Sequence, residues 1–143
     1  MSNKTVLKCA SKTGAERFVM SEAIKKMKEL GKLVEAERTS REEAMEAKDS
    51  LYSMAEEYEW AVRTCKDLET DPNANVECPY FGGIYRGEER EETIAHLKKV
   101  LVIFPKKRVE MEDLVEKTVK NWETAFEALA KFRDTIHLKQ GDG

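Results

Sequence analysis

The sequence predicts an all-α protein, a long antiparallel helical hairpin of the coiled-coil kind with a small β-ribbon at its tip. Three observations predict it: an apolar seam at 3.5-residue spacing, two seam-bearing runs of nearly equal length, and one Gly-, Pro- and aromatic-rich interruption between them. The expected limits are an N-terminal segment 1–17, a helix 18–69, a tip loop 70–88, a second helix 89–138 kinked or broken at Pro105, and a tail 139–143. All five belong to a single elongated helical domain, 1–143.

The first run steps alternately by four and three residues: Val19, Ala23, Lys26, Leu30, Leu33, Glu37, Ser40, Ala44, Ala47, Leu51, Met54, Tyr58, Ala61, Cys65, Leu68. Lys26, Glu37 and Ser40 are its polar members. A spacing of 3.5 keeps such a stripe on one side of a slightly under-wound helix, as pairing with a second helix requires. Gly31 and a capping-box pattern at Ser40 and Glu43 mark a region where the helix could break, but the register crosses it unshifted and favours continuity.

Asp71-Pro72-Asn73 ends the first helix. Gly82-Gly83, between Pro79-Tyr80-Phe81 and Ile84-Tyr85-Arg86, is a dipeptide favoured by two-residue β-hairpin turns, so a small ribbon is expected there. The second run is Ile94, Leu97, Leu101, Phe104, Arg108, Met111, Val115, Thr118, Trp122, Ala125, Leu129, Phe132, Ile136, with Arg108 its charged exception. Pro105 removes a backbone donor and disfavours helical geometry at Phe104. At 1.5 Å per residue the two runs would span roughly 75 Å and 65 Å, so the second can fold back along the first.

Apolar residues also flank the seam: Met20, Met27, Val34, Ala55 and Val62 on the first helix, and Val100, Leu114, Val119, Phe126 and Ala128 on the second. A stripe this wide leaves apolar area in water unless a second hairpin covers it. A homodimer forming a four-helix bundle is therefore expected. Val6 and Leu7 folding back over the stripe is the alternative.

With 37% charged residues and a net charge of −3, the chain is acidic. The charge is uneven, +4 over residues 1–36, −7 over 37–99 and balanced over 100–143. A basic first third admits nucleic-acid binding as an alternative function, although the excess is small. The basic amphipathic segment 18–34 is expected in the bundle core, not on a membrane. No stretch is apolar enough to span a bilayer, no secretory core opens the sequence, and Cys9, Cys65 and Cys78 lack metal or disulfide spacing. A cytoplasmic protein with reduced thiols is expected.

No catalytic constellation, cofactor motif or metal site is expected. Glu42, Glu43, Glu46 and Asp49 look like the acids that hold Mg²⁺ in all-helical nucleotide pyrophosphatases, which makes such an enzyme the third reading. With Ala44, Ala47 and Leu51 inward, however, Glu46 and Asp49 point to solvent. Glu92 and His96 have the wrong spacing for a di-iron bundle, and His96 and His137 are expected at the surface. The glycines of the tip lack the ending of a phosphate loop.

What remains is a non-enzymatic interaction, adaptor or regulatory protein whose partner is another protein. Tyr80, Phe81, Ile84, Tyr85 and Arg86 are its expected contact residues at the tip, because aromatic and Arg side chains on a rigid scaffold dominate interface energetics. Tyr52 and Trp60, grouped with Met45 on the outer face of the first helix near Val102 and Ile103, form a second expected contact.

Overall fold

A computed structural model describes residues 14–141; the side chains of Ala15, Glu16, Phe18 and residues 137–141 are not described. Cys9, Val6, Leu7, most of the expected 1–17 segment and the His137 side chain therefore lie outside the described residues. The elements are α1 (Gly14–Thr70), β1 (Val76–Glu77), β2 (Ile84–Tyr85) and α2 (Gly87–Gly141). This is the expected all-α architecture of two long helices with a two-stranded antiparallel ribbon between them. Each helix reaches a few residues beyond its expected limits, because a helix with good intrinsic propensity continues past the end of its apolar stripe.

Packing divides the chain into two compact units, Arg41–Asn121 and a second that joins Met1–Ser40 to Trp122–Gly143. Within Arg41–Asn121 the helices run antiparallel and meet along the expected seam. Ala44, Ala47, Ala61, Leu97, Phe104 and Thr118 are buried, and Leu51, Met54, Tyr58, Cys65, Leu68, Ile94, Leu101, Met111 and Val115 are half-buried. The Tyr58 and Phe104 rings pack at 5.1 Å. Buried Thr118 gives its hydroxyl proton to its own helix, at the Leu114 and Val115 carbonyls, so it enters the seam satisfied.

Within the other unit Leu30, Leu33, Trp122, Ala125, Phe132 and Ile136 are half-buried and Leu129 is buried. Glu37, a charge in an apolar register, is explained by Trp122, whose indole Nε1 donates to Glu37 Oε1 at 3.0 Å. Val19 and Ala23, the first two positions of the expected stripe, are exposed.

The continuity expected across Gly31 and Ser40 holds, and the interruption at Pro105 is weaker than its residue suggests. α1 is helical through Gly31 and Ser40. α2 runs through Pro105 in one piece rather than breaking there. Pro105 itself faces solvent, while Leu101, Phe104 and Met111 on either side of it are anchored on α1. Seam burial thus exceeds the roughly 3 kcal/mol a helical proline costs. No helix among the described residues is long and apolar enough to cross a membrane.

Candidate interaction site at the tip

α1 ends where Pro72 would disfavour helical geometry at the residue before it. The Asp71 N–H makes a last helical bond to the Asp67 carbonyl at 2.9 Å. The Ala74 N–H then bonds the Asp71 carbonyl at 2.9 Å and the Asn73 N–H bonds Asp71 Oδ1 at 3.0 Å, a turn with proline at its second position. Arg90, in the first turns of α2, gives its guanidinium to the Pro72 and Ala74 carbonyls at 2.9 and 3.0 Å. Its side chain is only 22% exposed. This residue was not among those expected to matter. Continued backward from Ile94, however, the seam register lands on Arg90, where a charge so placed requires a partner.

The ribbon pairs Val76 with Tyr85 and Glu77 with Ile84. Val76 is fully buried with Ala61 and Leu97, and Trp60, Leu68, Tyr85, Ile94 and Val100 pack around them. Trp60 donates its indole N–H to the Glu77 carbonyl at 3.1 Å and its ring lies 6.4 Å from that of Tyr85. The ribbon therefore folds back along the helices and covers Trp60.

Gly82-Gly83 does not form the expected two-residue turn. The Cys78 N–H bonds the Gly83 carbonyl at 2.7 Å and the Gly82 N–H bonds the Cys78 carbonyl at 3.2 Å, closing a four-residue loop Pro79–Gly82. A two-residue turn at these glycines would pair Phe81 with Ile84, but Ile84 pairs with Glu77, and of the two glycines only Gly82 has positive φ, 66°. Gly83 serves in the ladder instead.

This loop presents Tyr80 and Phe81, 69% and 90% exposed, with Ile84 at 40% and Arg86 also exposed. Tyr85 turns inward, and its hydroxyl meets the Cys78 thiol. That hydrogen bond, with the Tyr80 and Phe81 backbone N–H groups, holds the Cys78 pKa below the usual thiol value. Burial pushes the Cys65 thiol up.

The expected outer-face set separates. Tyr52 is 64% exposed and Met45 54%. Tyr52 is hydrogen-bonded to Glu56, and that bond together with the charges of Glu56 and Glu59 raises its pKa. Trp60 is not part of an exposed face. Eight residues of helix rotate it about 80° past Tyr52, which carries it round to the ribbon side.

The acids of residues 42–49 spread around α1: Glu43 and Glu46 border a groove with Leu114 and Thr118, whereas Glu42 and Asp49 face solvent. No three His, Cys, Asp or Glu among the described residues are placed to hold a metal ion. His96 contacts Glu57 across the seam. Comparison with family models, curated proteins and solved structures returned no match, which leaves the residues of the tip and of the two helices to speak for the chain's function.

Proposed function

We propose that the protein is a non-enzymatic interaction protein of the coiled-coil type, an adaptor or regulator in kind, that engages another protein through its tip loop. One observation carries this: Phe81 and its neighbour Tyr80 stand largely exposed on a loop whose backbone is tied down on both sides. Rigidly presented aromatic side chains are the usual source of interface hot-spot energy, since little conformational entropy remains to be lost on binding. The free thiols of Cys65 and Cys78 suit a reducing compartment, and we place the protein in the cytoplasm.

The test pairs a binding readout with a stability readout. Tyr80→Ser together with Phe81→Ser is expected to leave urea unfolding within about 0.5 kcal/mol of the parent, as for surface substitutions. The same variant should lose the proteins that wild-type chain captures specifically from extracts of its own host, quantified by mass spectrometry. Unchanged capture by a stably folded double variant defeats the proposal.

A further inference from the structure

The side of Arg41–Asn121 away from the ribbon is open, and its α1 stripe reads the same in both directions. Along it lie Met45, Lys48, Tyr52, Ala55, Glu59 and Val62, at steps of three, four, three, four and three. Met45, Tyr52 and Val62 are exposed large apolar residues, Lys48 and Glu59 are exposed charges, and Ala55 is half-buried beside them in the groove between the helices. Phe104, Arg108 and Glu112 of α2 line the other side of that groove.

Reversing the stripe about a point between Tyr52 and Ala55 places Met45 on Val62, Lys48 on Glu59 and Tyr52 on Ala55. Apolar meets apolar and cation meets anion at every position. Such self-complementarity is what an isologous two-fold contact demands of a surface. It also explains why a solvent-facing stripe alternates large apolar residues with charges of opposite sign at mirrored places.

We propose that a second copy of this chain docks here, α1 against α1 in opposite directions, with Lys48 of each copy facing Glu59 of the other. This does not depend on the tip, which lies on the opposite side. A stack built this way sends the two tip loops in opposite directions, the α1 C-termini about 50 Å apart by helix rise alone.

Charge exchange tests it. Sedimentation of the wild-type chain at micromolar concentration should show a species near twice 16.4 kDa. Lys48→Glu and Glu59→Lys should each raise the dimer dissociation constant about tenfold, because two exposed pairs become repulsive together. The double exchange should restore it to within about twofold of the parent, since the mirrored pairing is regenerated. Tyr52→Arg should disperse the dimer while circular dichroism shows unchanged helicity. A monomeric wild type overturns the proposal. So does a dimer indifferent to Tyr52→Arg, or a double exchange no tighter than the singles.

Discussion

Cys78 and Arg90 show how single side chains near the tip acquire properties their types do not ordinarily have. The Tyr85 hydroxyl donates to the Cys78 sulfur and so favours the thiolate, whereas Cys65 is driven toward the protonated form by burial. In a Cys9→Ser background, iodoacetamide at neutral pH should therefore alkylate Cys78 well before Cys65. The pH profile of Cys78 labelling should move upward in Tyr85→Phe; an unmoved profile means the hydroxyl is not the cause. Arg90 acts through backbone acceptors. Arg90→Met keeps most of the stem's packing but leaves the Pro72 and Ala74 carbonyls without their charged donor. It should lower stability in urea by about 2 kcal/mol, the scale of a hydrogen bond to a charged group.

Among the elements, the glycines separate conformational need from mere tolerance. Gly87 opens α2 with φ of 60°, a backbone that turns the chain from β2 into the helix, and Glu88 and Glu89 follow where the helix dipole favours acids. Gly31 sits in mid-helix with open space where a Cβ would go. Gly87→Ala should cost about 1 kcal/mol and Gly31→Ala should add up to about 1 kcal/mol, both measured by chemical denaturation. The helices and their seam could be read directly from spacing, because burial along a helix is a local, periodic property: the stripe from Leu30 to Leu68 reappears in place. The ribbon's presence could be read too, from the Gly-Gly dipeptide and its aromatic flanks, but its register could not. Its pairing depends on Val76 finding Ala61 and Leu97, a tertiary contact with no period, and with that contact made Ile84 pairs with Glu77 and not with Phe81, the partner a two-residue Gly-Gly turn would give it. The same long-range packing hides Trp60, which by helical position alone stands outside the seam. Tyr80 and Phe81 could be singled out by residue type and place, but their exposure, in contrast to Tyr85 beside them, is decided by which side of the ribbon each occupies.

At the level of the whole chain, charge and apolar area are distributed so that each helix serves in several ways at once, with a seam, a ribbon-covered side and an open stripe. The polar members of the seam, Glu37 with Trp122 and Thr118 with its own backbone, admit polarity without orphaned groups. The small core at the tip has a further consequence, for time rather than for stability. Ala61, Val76 and Leu97 are brought together by closing one stretch of chain through the ribbon, whereas buried Leu129 belongs to the unit that joins Met1–Ser40 to Trp122–Gly143, segments far apart in sequence. Closing that stretch costs the least chain entropy, so the tip core is where the folding barrier should be crossed, with the remaining helix pairing added afterwards. Leu97→Ala should then slow refolding nearly in proportion to the stability it removes, whereas Leu129→Ala should leave refolding almost unchanged and accelerate unfolding. Stopped-flow chevrons on the two variants distinguish this order from its reverse, in which the chain ends meet first and the tip locks last.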